Sequence, residues 1–224
     1  GASIVQFAGS HVLSIGQFER SDVEQLFTVA DRMRPYAHRE RITRVLEGAI
    51  LGSMFFEPST RTRISFGSAF NLLGGEVRET TGFEHSAIAK GESLYDTARV
   101  LSGYSDIIVM RHPEDGSVSE FAAASRVPVI NGGDGANEHP SQALLDLYTI
   151  RSELVGRDRG LDGLRIAMVG DLRYGRTVHS LSKLLSLFKN LRVSLVSPDA
   201  LKMPAEVVEC LRTAGHEVLE TDSL

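Results

Sequence analysis

AILGSMFFEPSTRTRISFGSAFNLLGG, residues 49–75, changes character twice. The apolar run AILGSMFF has the length and continuous hydrophobicity of a buried strand. Glu57-Pro58 stops it, and from Ile64 the residues Phe66, Phe70 and Leu73 recur on one helical face until Gly74-Gly75 ends the helix. A buried strand that passes into a helix without a hairpin turn is half of a strand-helix-strand unit. Repetition of that unit gives a parallel sheet covered by helices.

The pattern repeats on both sides. Upstream, ERSDVEQLFTVADRMRPYA places Ser21 and Glu24 at capping-box spacing, with Val23, Leu26, Phe27, Ala30 and Met33 at helical spacing, predicting an amphipathic helix that starts at Ser21. Downstream come SLYDTARVLSGY as helix, DIIVM as strand, SVSEFAAAS as helix, VPVIN as strand and SQALLDLYTIRSEL as a long helix. After the polar, glycine-punctuated RDRGLDGL the series resumes with RIAMVG, TVHSLSKLLSLF, LRVSLVS, PAEVVECLRTAG and HEVLETDSL, alternating strand and helix. The predicted class is α/β with two doubly wound parallel-sheet domains. A boundary near residues 150–160 separates 1–150 from 151–224. The second domain is expected to be incomplete, with more chain beyond Leu224, and the start at Gly1 rather than Met leaves room for an upstream segment.

Composition narrows the function classes. With 42% hydrophobic and 24% charged residues the chain is an ordinary globular one, and disorder, collagen and coiled coil are set aside. A net charge of -5 argues against a broad basic face for nucleic acid or anionic membrane, so any anion must be held locally. No run approaches the ~18 apolar residues of a membrane span. The single cysteine, Cys210, excludes an internal disulfide and a thiolate cluster, and a reducing, cytoplasmic location is the simple expectation.

In open parallel sheets, ligands sit beyond the carboxyl ends of the strands. Those ends here are EPSTRTR, RHPEDG, GGDGANEHPSQ and DLRYGRTVHS, all polar and three of them with arginine. PSTRTR opens a helix, where free backbone N–H groups and a partial positive charge suit an anion. Ser59, Thr60 and Thr62 add hydroxyls, and Arg61 adds a guanidinium fork matched to phosphate oxygens. The alternative is that a hydroxyl merely caps the helix and the arginines face solvent, with Arg63 the weaker candidate. His139 and Gln142 stand three apart at a helix entry and can face one point, or His139 is simply a satisfied loop residue; metal binding is disfavoured because no cysteine or second histidine is nearby. Arg111 is either a ligand contact or an ion-pair partner of Glu114 or Asp115. MVGDLRYGRTVHS has only Gly170 and Gly175, not the G-x-G-x-x-G spacing, so no dinucleotide cofactor is assigned. Arg176 either holds a carboxylate or is solvated. Ser86 and Lys90 lie in a polar stretch that reads as an exposed loop.

PSTRTR, HSAIAKGES, MRHPEDG, GDGANEHPSQALLD and MVGDLRYGRTVHS, in that order over nearly the whole chain, resemble the aspartate carbamoyltransferases. PSTRTR together with HPSQ marks the aspartate/ornithine carbamoyltransferase superfamily. Ser141 stands where ornithine enzymes usually carry cysteine, and it and GDLRYGRTVHS point to aspartate as acceptor; threonine is common at that position among the aspartate enzymes. The resemblance implies a carbamoyl-phosphate-binding domain over 1–150 and part of an aspartate-binding domain over 151–224, whose further substrate residues and returning helix would follow Leu224. It implies transfer of the carbamoyl group from carbamoyl phosphate to the α-amine of L-aspartate, with no cofactor, metal or covalent intermediate. By the same resemblance Ser59, Thr60, Arg61 and Thr62 bind phosphate, and Arg111, His139 and Thr62 polarise the carbonyl oxygen. Gln142 holds the carbamoyl amide and Arg176 an aspartate carboxylate. Ser86 and Lys90 come from a neighbouring subunit of a homotrimer. Regulatory or other partner chains are left open, as are a silent phosphate-metabolite-binding homologue and an ornithine carbamoyltransferase.

Overall fold

The computed structural model describes residues 7–80, 93–136 and 138–224. The chain packs as two compact units, residues 1–14 with 24–138 and residues 15–23 with 139–224.

The first unit is built on four strands: β1 (Ile50–Phe55), β2 (Glu76–Thr80), β3 (Ile107–His112) and β4 (Val129–Asp134). All pair in parallel, in the order β2-β1-β3-β4. The connections are the helices α2 (Thr60–Leu72), α3 (Leu94–Leu101) and α4 (Ser117–Ala124), preceded by α1 (Arg20–Ala37). The order reverses after β2. With right-handed crossovers this puts α2 on one face and α3 with α4 on the other, a doubly wound arrangement. On the α3–α4 face Met54, Ile108 and Met110 pack with Ala98, Val118 and Phe121 into one core cluster. Burying a side chain such as Phe121, which is fully enclosed, contributes about 1.5–3 kcal/mol. The glycine end of α2 is required sterically. Gly74 has φ +94, and a Cβ there would lie 2.6 Å from the Arg44 backbone.

Two local expectations change. β2, EVRET, carries no apolar run and is not among the predicted strands. It is one of the two edge strands of the sheet, mostly exposed, and its charges leave that open edge unattractive for further pairing. The start of α1 also moves. The helix begins at Arg20, with Ser21 inside its first turn, and the reciprocal cap is made by the Asp22 carboxylate, which accepts the Glu19 N–H at 2.8 Å.

The second unit carries β5 (Arg165–Val169), β6 (Arg192–Val196) and β7 (Glu217–Thr221), parallel and in sequence order. Its helices are α5 (Pro140–Val155), α6 (Arg176–Leu185) and α7 (Ala205–Thr213); α5 packs on α6 and α6 on α7. Leu184, Leu185, Val193, Leu195 and Leu211 are buried in this layer, whereas Val169 and Leu219 on the sheet are 60% and 61% exposed. The 15–23 segment is held by Arg20. Its guanidinium meets Asp162 through two bonds of 2.9 Å and lies 4.8 Å from the Phe188 ring centre. That hydrogen bond, with the Lys189 N–H at 2.8 Å, holds the Asp162 carboxyl below its ordinary range.

Candidate active site

In the first unit the connections leaving β1 and β3 depart to opposite sides, so a crevice opens beyond their carboxyl ends. β1 delivers Glu57-Pro58-Ser59 and the N-terminus of α2 to this point. Ser59 is the N-cap residue, yet its hydroxyl makes no capping bond, so it is not spent on the helix. The Arg63 N–H closes the first turn onto the Ser59 carbonyl at 3.1 Å, and the N–H groups before it belong to the turn that a helix leaves without internal acceptors. Thr60 and Arg61 are exposed there and Thr62 is half-buried. Among the described residues Arg61 makes no ion pair. Arg63 turns away and pairs with Glu79 on β2 at 2.8 Å. A cavity of about 700 Å³ lies on that side of α2, lined by Arg39 and Asn71 as well as by the paired Arg63 and Glu79.

β3 brings Arg111 to the same end of the sheet. Phe55 and Arg111 are register partners, and the Phe56 N–H donates to the Arg111 carbonyl at 2.9 Å. Arg111 does form an ion pair, but not with Glu114 or Asp115. Its Nε donates to Glu57 Oε1 at 2.7 Å, and its Nη1 to the Gly132 carbonyl at 3.3 Å. The pair is largely sheltered, the side chains being 16% and 29% exposed. Gly133 makes room for it: φ is +128, and a Cβ would stand 2.9 Å from Arg111 Nη1.

The loops after β3 and β4 are tied together. Asp115 Oδ1 accepts the Ala136 N–H at 2.8 Å, Asp134 Oδ2 accepts the Gly116 N–H at 3.1 Å, and the Gly135 N–H donates to the His112 carbonyl at 2.9 Å. His112 Nδ1 accepts the Glu114 N–H at 3.0 Å, and its ring centre lies 4.9 Å from that of Phe56. Desolvation lowers the His112 pKa below 6.5 against the opposing pull of Glu114, Asp134, Glu57 and Glu120.

In the second unit His139 is the buried N-cap residue of α5, its Nδ1 3.2 Å from Ser141 Oγ. Gln142 Nε2 donates along its own helix to Asp146 at 3.0 Å. Arg176 is the first residue of α6 and half-buried. Thus Ser59, Thr60, Arg61, Thr62 and Arg111 meet at one end of the first sheet, while His139, Gln142 and Arg176 stand at helix N-termini of the second unit. Ser86 and Lys90 lie outside the described residues. Glu57, which the motif reading passed over, is the residue that orients Arg111; the register of β1 against β3 is what exposes it. Among the described residues no group of three His, Cys, Asp or Glu is placed to hold a metal ion. Among the described residues no helix is long and apolar enough to cross a membrane.

Comparison with known proteins agrees with these features. Residues 10–152 match the family model of the aspartate/ornithine carbamoyltransferase carbamoyl-P binding domain. The chain belongs to this family. The family region ends after most of α5, whereas packing groups α5 with the second unit. The chain is 75% identical over 214 residues to the aspartate carbamoyltransferase catalytic subunit of Saccharophagus degradans, covering 96% of this chain and 64% of that one. The corresponding subunit of Cellvibrio japonicus is 70% identical, with 98% and 65% covered. The chain therefore spans a little under two thirds of these relatives. Among solved structures, the catalytic subunit of M. jannaschii aspartate transcarbamoylase superposes with a TM-score of 0.89 at 47% identity, covering 96% of this chain and 69% of that one. Aspartate transcarbamoylase from Trypanosoma cruzi, in complex with carbamoyl phosphate and aspartate, gives 0.86 at 43%, covering 97% and 68%.

Proposed function

We propose that the protein transfers the carbamoyl group of carbamoyl phosphate to the α-amine of L-aspartate, giving N-carbamoyl-L-aspartate and phosphate in pyrimidine biosynthesis. The observation that carries this reading is the donor set at the start of α2, beside Arg111 at the β1/β3 crevice: the Ser59 hydroxyl, which makes no capping bond, the N–H groups of the first turn, and Arg61, which makes no ion pair among the described residues. Such a set suits a doubly charged leaving group. The names of the relatives favour aspartate over ornithine as acceptor.

In this reading the amine attacks the carbonyl carbon, a C–N bond forms, and the C–O bond to phosphate breaks. Charge builds first on the carbonyl oxygen and then on phosphate, so fixed donors carry the rate. Ser59, Thr60, Arg61 and Thr62 hold phosphate; Arg111, Thr62 and His139 polarise the carbonyl. Gln142 holds the carbamoyl amide and Arg176 a carboxylate of aspartate. The residues 1–150 serve carbamoyl phosphate and 151–224 aspartate, in a cytoplasmic homotrimer whose neighbouring subunit supplies Ser86 and Lys90. The test is to incubate the full-length protein with carbamoyl phosphate and L-aspartate or L-ornithine and separate the products. Carbamoyl-aspartate is expected. Citrulline instead would reassign the acceptor, and no product from either would mark a silent homologue.

A further inference from the structure

His179 has no part in the reaction as written above, yet it closes the loop that leads to Arg176. Its ring Nε2 lies 2.7 Å from the Leu172 carbonyl oxygen. A carbonyl only accepts, so the proton is on Nε2 and the ring donates. Leu172 is gripped on its other side as well: its N–H donates to the Leu201 carbonyl at 3.1 Å, and its side chain is 1% exposed. Next to it, Asp171 Oδ1 accepts the N–H groups of Arg173 and Tyr174 at 3.1 and 3.0 Å. A side chain at Gly175 would come within 2.7 Å of the Asp171 carbonyl. Residues 171–175 thus form a closed turn folded back on the first turn of α6. Arg176 begins that helix and His179 stands three residues further along it.

We propose that His179 is a positioning residue that sets the direction in which Arg176 offers its guanidinium to a carboxylate of the amino-acid substrate. The proposal rests on the carbamoyl-transfer reading. The imidazole ties the turn to the helix that carries Arg176, so the turn and the arginine move as one piece. Bidentate recognition of a carboxylate depends strongly on that direction. Without the ring donor the Leu172 carbonyl loses its anchor and the turn can relax. Glutamine, whose amide nitrogen reaches about as far as Nε2, keeps the bond; phenylalanine keeps the bulk and loses it.

The test uses the full-length protein and the variants His179→Gln and His179→Phe, with KM for each substrate, kcat and the melting temperature. His179→Phe is expected to raise KM for L-aspartate about tenfold and leave KM for carbamoyl phosphate within about twofold, with glutamine restoring most of the loss. An unchanged aspartate KM in His179→Phe overturns the proposal. So does a parallel rise in both KM values that follows the melting temperature, or a glutamine variant no better than phenylalanine. If the wild-type protein makes no carbamoyl-aspartate, the functional reading fails by itself. Amide hydrogen exchange over residues 172–176 then decides the clamp, with faster exchange in His179→Phe and recovery in His179→Gln expected, and no change overturning it.

Discussion

Replacing Arg111 by alanine tests the chemistry and the fold at once, because the residue combines a proposed role at the carbonyl oxygen with an observed structural one. Its guanidinium is the donor expected at the carbonyl oxygen, and loss of one such donor raises the barrier by about 3–4 kcal/mol, a 10²–10³-fold fall in kcat. Its Nε bond to Glu57, at 2.7 Å, is structural. Breaking a fully buried ion pair costs about 3–5 kcal/mol. Glu57 is 29% exposed and can recruit water, so the stability loss should be nearer about 1–2 kcal/mol. Arg111→Ala is therefore expected to melt a few degrees lower, stay folded, and lose turnover by orders of magnitude. Arg111→Lys, which keeps charge but not the fork, should recover stability better than turnover. Glu57→Gln keeps an acceptor for Nε and should retain most activity, whereas Glu57→Ala frees the guanidinium and should lose about tenfold or more. The assay is steady-state carbamoyl-aspartate formation with melting curves on the same samples. Near-normal turnover in folded Arg111→Ala would refute the role, as would strict additivity of the Glu57 and Arg111 changes in a double-mutant cycle.

Arg61 and Arg63 should separate cleanly. Arg61→Ala is expected to raise KM for carbamoyl phosphate by about tenfold or more without moving the melting temperature, whereas Arg63→Ala, which loses only the surface pair with Glu79, should cost under about 1 kcal/mol and leave KM alone. Gly133→Ala forces a side chain into φ +128 and against Arg111 Nη1; kcat should fall while the circular dichroism spectrum is preserved. His112 has a folded-state pKa below the ordinary 6.5, so in the interval between those values the unfolded chain binds more protons and stability rises with pH. Its contribution is full above pH 6.5 and declines on acidification towards the folded-state pKa. His112→Gln should flatten that part of the pH–stability curve, and an unchanged slope would remove His112 as its source.

What the sequence disclosed and what it hid follow from the range of the forces involved. The strands β1, β3 and β6 sit inside their sheets and β4, though last in its sheet, is buried nearly throughout, so apolar runs announce all four. β2 is an edge, and EVRET carries charge where it faces water, so nothing in its pattern separates it from a loop. The start of α1 is displaced from the Ser21–Glu24 spacing because the same capping-box bond is made two residues earlier, from the Glu19 N–H to the Asp22 carboxylate. The residues proposed to hold phosphate stand out in the sequence because a strand end, a helix start, hydroxyls and arginine are contiguous in PSTRTR. Glu57 as partner of Arg111 was not: the two are brought together by the register of β1 on β3, which pairs Phe55 with Arg111 and is invisible along either strand alone. The grouping of α5 with the second unit is likewise a matter of packing, since the helix lies against α6. Its sequence continues the first series without a break.

The most direct measurement is a crystal structure of the full-length protein with carbamoyl phosphate bound. The phosphate oxygens should lie at about 2.7–3.2 Å from the backbone N–H groups that open α2 and from Arg61, with Arg111 turned to the carbonyl oxygen. A phosphate seated elsewhere, leaving Ser59, Arg61 and Arg111 without ligand, would contradict the account.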